Sequence, residues 1–142
     1  MAEFKYAKGR ISESLQFIAG EIKEFQEDYI SKTLKDYQGD KKLQKLIDRT
    51  VENILIALIE ICGAILTQEN IPVENYAQIL SECAKRLDFS VEEQEALAKL
   101  AIQRNRLAHR YLNFRWQAIV TFVNTMPIIC KFTTKILERE KQ

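Results

Sequence analysis

A chain of 142 residues, 46% hydrophobic and 29% charged, is long enough to bury one core without disulfide or metal staples. Two prolines, four glycines and no long strand-like runs between turn signals argue against a β architecture and for an all-α chain. The formal net charge of +1 conceals a split, because residues 1–95 carry 12 Lys and Arg against 18 Asp and Glu, whereas residues 96–137 carry basic residues and no acid. Such a split predicts a local anion site on an otherwise acidic body, although Lys131 and Lys135 can equally be solvated helix surface.

The start MAEFKYAKGR has Glu3 and Lys5 beside Phe4 and leads into no apolar run, so no signal peptide is expected. A first helix is predicted from Phe4, Ile11, Leu15, Ile18, Ile22, Phe25 and Tyr29, which after the first gap fall three and four apart. Gly39 and the charges of DYQGDKK (36–42) read as a loop. The second helix is expected from about residue 41 to 67, with Leu43, Ile47, Thr50, Ile54, Leu58, Ile61 and Ile65 as its stripe. Leu46, Leu55, Ile59, Cys62 and Leu66 widen that stripe until little polar face remains after residue 54, which predicts a partner subunit as part of its cover. Its most apolar segment, ILIALIEICGAIL (54–66), contains Glu60 and falls short of the roughly 20 apolar residues a membrane span needs. A buried helix is expected there, and no membrane contact.

NIPVEN (70–75) is a break, since Pro72 disfavours a helical Ile71. A short third helix follows with Tyr76, Ile79, Leu80, Cys83 and Leu87 inward. SVEE (90–93) is a capping-box pattern that starts a fourth helix running from about residue 91 into RNRLAHRY. The last helix, roughly 114–139, repeats Trp116, Ile119, Val123, Met126, Cys130, Thr133 and Leu137 at spacings of three and four. Pro127 inside it predicts a kink. Cys62, Cys83 and Cys130 form no C-x-x-C or Cys/His pattern, so reduced thiols in a cytoplasmic setting are expected rather than a disulfide or zinc site. Together these elements predict one domain over residues 1–142, an up-and-down bundle of four to five helices.

RNRLAHRY (104–111) holds the sole histidine, His109, with Arg104, Arg106 and Arg110 around it and Tyr111 two residues later. A single helical histidine is ordinarily a surface or capping residue, and scattered arginines are ordinarily solvated. Here, however, the residue types match metal-free cleavage of an RNA phosphodiester. The 2′-hydroxyl is the built-in nucleophile, an imidazole can move protons near neutral pH, and a guanidinium matches phosphate geometry. Neither metal nor cofactor is required. On one straight helix Arg104 and His109 stand about 140° apart, while Asn105 lies about 40° from His109 and can orient its ring. Convergence therefore needs either a break in the segment or a second copy of the motif across a dimer interface. Two copies would also supply two imidazoles, an acid and a base.

R-x-x-x-x-H-x-Y, present as Arg104, His109 and Tyr111 within R-N-x-L-x-H-x-Y, resembles the motif of HepT-like proteins of the HEPN superfamily. The likeness extends through RTVENILIALIE (49–60), IPVENYAQIL (71–80) and the long helix after the motif. The resemblance implies a homodimeric α-helical ribonuclease, the toxin of a type VII-like toxin–antitoxin pair, with two motifs lining a cleft between subunits. It implies Arg104 and His109 as the catalytic pair, with Asn105, Arg106 and Arg110 in support. It further implies a minimal nucleotidyltransferase antitoxin that neutralises the toxin by transferring AMP to Tyr111. This chain departs from many relatives in reading ICGA after Glu60 and in carrying Arg115 near the start of the last helix, where others have acids. Two other classes remain open from the residues alone: a non-catalytic binding module for a nucleotidyltransferase or nucleic acid, and a small-nucleotide binder using the same arginines.

Overall fold

The computed structural model describes the backbone of residues 2–109 and 112–141, with side chains described from residue 10 in the first stretch and from residue 114 in the second. Among the described residues the chain forms helices and no strands. They run in the order α1 (Ala2–Asp28), α2 (Leu34–Gly39), α3 (Lys41–Gln68), α4 (Tyr76–Arg86), α5 (Val91–Ala98), α6 (Leu100–Ala108) and α7 (Leu112–Glu140).

The all-α expectation holds, but the described helices are seven where four to five were expected. One extra helix, α2, falls in the stretch read as a loop. It is built by a capping box in which Thr33 accepts from the Asp36 amide and Asp36 accepts from the Thr33 amide. Asp40 then ends α2 and caps α3, its carboxylate accepting from the amides of Lys42 and Leu43. The other difference lies at Lys99, which separates α5 from α6 in the segment read as one helix. Ser90 and Glu93 form the capping box expected before α5.

The core is organised around α3, which packs against α1, α2, α4, α6 and α7. By length and composition α3 could cross a membrane, yet its apolar stripe from Ile47 to Leu66 is buried among the chain's own helices. Those helices supply the cover for which a partner subunit was expected. Leu46 alone of the predicted apolar set is half exposed. The α1 stripe from Ile11 to Tyr29 is buried as expected and faces α3. Cys62 and Cys83 are buried free thiols and Cys130 is half-buried; burial and the neighbouring Cys83 push the Cys62 thiol up.

Two helix ends use left-handed residues that the sequence reading did not single out. Asn70 (φ 57°) and Asp88 (φ 64°) close α3 and α4. In each case the following amide reaches five residues back, Ile71 to Leu66 and Phe89 to Ala84. The break at 70–75 therefore begins one residue before the proline effect can act.

Ile119 and Met126 of α7 are buried as expected, but the rest of its core face is rotated from the expected row. Phe122, Ile129, Phe132 and Ile136 are fully buried, whereas Val123 and Cys130 are half-buried and Leu137 is 41% exposed. Both rows of α7 are apolar at helical spacing, so periodicity alone admits either. The row with the two phenylalanines wins because it removes more apolar surface from water. Phe122 meets Phe25 of α1 edge-on at 5.2 Å, and Phe132 meets Phe89 at 5.5 Å. Phe122→Ala is expected to lower unfolding free energy by about 3–5 kcal/mol in urea titrations, while Leu137→Ala stays within about 1 kcal/mol of the parent. Equal costs would contradict the assigned core face.

Candidate functional site

The motif straddles the end of α6. The helix stops at Ala108, and His109 caps it with φ −90° and ψ 0°, its amide donating to the Asn105 carbonyl at 3.0 Å. This bridge conformation is one in which active-site residues are often found. The His109 amide still makes the helical bond to Asn105, so within one chain Arg104 and His109 keep the spacing of a continuous helix. The ordinary expectation for a lone histidine, a capping and exposed position, also describes His109.

Asn105 sits beside Arg104 on α6. Its side-chain oxygen accepts from the Arg104 guanidinium at 3.4 Å, while its carbonyl holds the His109 amide. The link to Arg104 was not anticipated; Asn105 was expected to act on the imidazole ring. Arg104 also lies over the ring of Tyr76, 5.8 Å from its centroid. Tyr76 was expected to point inward, yet it is 47% exposed at the start of α4. Arg106 donates to Gln103 at 3.1 Å and lies 5.2 Å from the centre of the exposed Phe114 ring. Arg110 and Tyr111 lie outside the described residues.

Behind the motif sits a buried polar knot. Asp48 of α3 receives Arg115 of α7 at 2.9 Å on one carboxylate oxygen and the Tyr37 hydroxyl of α2 at 2.7 Å on the other. Tyr37 packs in turn on Trp116, with ring centres 5.1 Å apart. Burial raises the Asp48 carboxyl above its usual range despite the opposing pull of Tyr37 and Arg115. Burial first, and then Asp48, push the Tyr37 hydroxyl well up. In the sequence Arg115 stood out only as a base near the start of the last helix where relatives carry an acid. Its long-range partner carried no local signal.

Beside this knot a cleft of about 760 Å³ opens between α3 and the last turn of α6. Lys41, Lys45 and Arg49 line it from α3, Leu107 and Ala108 from α6, and Arg115 from α7. The basic stretch 96–137 is thus not one site. Lys131 pairs with Glu93 at 2.9 Å, and Lys135 donates to the Leu87 carbonyl at 3.4 Å. Both stack near Phe89, and Lys131 lies about 24 Å along α7 from Arg115. Among the described residues no group of three or more His, Cys, Asp or Glu side chains is placed to hold a metal ion.

Breaking the knot on one side is expected to destabilise the fold by roughly 2–4 kcal/mol, because a mostly buried charge loses its counter-charge. Asp48→Asn and Arg115→Met should each show this in urea titrations. The double variant, which keeps an acceptor for Tyr37 and removes both charges, should recover most of the loss. A coupling energy near zero in that double-mutant cycle would refute the pairing.

No curated protein sequence matches the chain. A family profile described as Ribonuclease HepT-like matches residues 18–136, which include α3 to α6, the motif and most of α7. The chain therefore belongs to the HepT-like ribonuclease family.

Proposed function

From membership of the HepT-like ribonuclease family we propose that this chain is a metal-independent RNA endonuclease, the toxin of a type VII-like toxin–antitoxin pair. The observation that carries the reading is the family match over residues 18–136, with Arg104 and His109 at the end of α6 beside a cleft lined by Lys41, Lys45 and Arg49. Arg104 holds a non-bridging phosphate oxygen and stabilises the charge that grows as the 2′-oxygen attacks phosphorus. Imidazole takes the 2′-hydroxyl proton or returns one to the departing 5′-oxygen. The P–O5′ bond breaks, leaving a 2′,3′-cyclic phosphate and a 5′-hydroxyl.

One histidine cannot serve as acid and base at the same moment, so the active form is a homodimer with two motifs in one groove. The surface of α6 supports this. Ile102, Asn105 and His109 recur at spacings of three and four, all exposed, with Ile102 at 51%. An exposed isoleucine beside the motif is suited to burial against a second copy. Arg106 and Arg110 add positive charge that favours RNA over a neutral ligand.

A minimal nucleotidyltransferase serves as antitoxin by transferring AMP to Tyr111. Phosphate bound two residues from His109 would take the place of the RNA phosphate among the arginines and add like charge against the strand. The setting is the cytoplasm, where RNA and ATP meet.

The purified protein is expected to cleave single-stranded RNA in EDTA, with products ending in 2′,3′-cyclic phosphate. Substituting deoxyribose at the scissile nucleotide should stop cleavage. His109→Ala and Arg104→Ala should each lower kcat by about 10²–10⁴, read by gel or fluorogenic assay, with unchanged circular dichroism. Cleavage at the parent rate in either variant refutes the assigned roles. After co-expression with the neighbouring nucleotidyltransferase, mass spectrometry should find AMP on Tyr111 in neutralised protein and none in its Tyr111→Phe variant. A neutralised complex with unmodified Tyr111 rejects the transfer.

A further inference from the structure

The cleft beside the motif has a feature that the cleavage step does not use. Lys41, Lys45 and Arg49 stand four residues apart on α3, so each lies about 6 Å further along the axis than the last. That interval is close to the repeat of phosphates along a single nucleic-acid strand. All three side chains are exposed, and among the described residues none has a carboxylate partner at ion-pair distance. The surface cations at the other end of the bundle differ, because Lys131 and Arg139 are engaged by Glu93 and Glu69.

We propose that this row is a backbone track for single-stranded RNA, holding three consecutive phosphates on one side of the scissile bond. The inference rests on RNA being the substrate and names where the strand runs. The wall of the cleft shared with α6 is Leu107 and Ala108, the two residues before His109. A strand on the cationic row therefore passes directly to the motif. Arg115 lines the same cleft, but Asp48 at 2.9 Å balances its charge, so the row's charge is that of Lys41, Lys45 and Arg49. Asp48 does not oppose the strand, because its two oxygens are taken by Arg115 and Tyr37. Glu52 lies past Arg49 in the same cleft. A carboxylate there repels a further phosphate and ends the track.

The row binds through charge, so salt dependence reads it directly. Each phosphate contact on a single strand contributes about 0.7 to the slope of log K against log salt concentration. An uncleavable 2′-O-methyl oligoribonucleotide bound to the full chain, followed by fluorescence anisotropy, isolates binding from turnover. Lys41→Gln/Lys45→Gln/Arg49→Gln is expected to reduce the slope by about 2. Lys131→Gln/Lys135→Gln should leave it unchanged, and His109→Ala should retain most of it.

A triple variant with the parent's slope overturns the track, as does an equal change in the Lys131/Lys135 variant. So does a triple variant that binds RNA normally but loses an acidic protein partner. If the parent cleaves RNA and the triple variant binds it unchanged, the track fails while the nuclease reading stands. If the triple variant loses the slope and the parent cleaves no RNA, the track stands as a binding site and the nuclease reading fails.

Discussion

The segment that carries the motif is hung between two fixed points, and the second of them is the ion pair between Asp48 and Arg115. The first is the hydrogen bond from the His109 amide to the Asn105 carbonyl, which closes α6. Six residues later Arg115 meets Asp48 at 2.9 Å and fixes the start of α7 to α3. Hydrophobic packing could hold the two helices together as firmly. What a directional, mostly buried pair adds is register, since the guanidinium reaches the carboxylate in one rotational setting of α7. Asp48 extends the constraint to α2 through the Tyr37 hydroxyl. A six-residue helix has too few internal hydrogen bonds to persist alone, so α2 depends on this contact and on the Tyr37–Trp116 packing.

That arrangement explains how exposed, charged residues can be placed accurately. Arg104 and Arg106 are long side chains with much rotamer freedom to lose. Each meets an aromatic face and a polar side chain of its own helix: Tyr76 and Asn105 for one, Phe114 and Gln103 for the other. These partners leave part of each guanidinium for a ligand. The cost is surface: Tyr76 and Phe114 remain substantially exposed, against the general tendency to bury aromatics.

Legibility from the sequence followed the range of the interaction. The stripes of α1 and α3, the capping box at Ser90 and the all-helical class all rest on neighbours within a few residues, and they were readable. The motif was readable because its residues are contiguous. The face of α7 was not, since two apolar rows compete and only the shape of the surrounding helices decides between them. Tyr76 was misread for a similar reason: helical spacing put it on the inward stripe, but at the first residue of α4 it stays half exposed, with only the Arg104 guanidinium over its ring among the aromatic contacts of the described residues. The Asp48–Arg115 contact joins positions 67 residues apart, and nothing local announces it. Arg115 had looked like a departure from the family pattern. In the fold it is the complement of an acid on another helix.

The charge split along the chain marks only part of the cluster that forms in space. Residues 96–137 hold the uninterrupted basic run, yet Lys131 and Lys135 lie toward the far end of α7, where they meet Glu93 and the Leu87 carbonyl. Arg104 and Arg106 of that run stay at the motif, and the further cations beside it come from α3, in the half of the chain where acids outnumber bases. Net charge summed along a sequence has no knowledge of which helix faces which, whereas the field at a site depends on distance in space. Asp48 and Arg115 settle that geometry. By pinning α7 to the first half of α3, they bring the basic row of one helix next to the histidine of another. The same contact removes Asp48 from the electrostatics of the cleft. One pair thus sets both the shape of the groove and the sign of its potential.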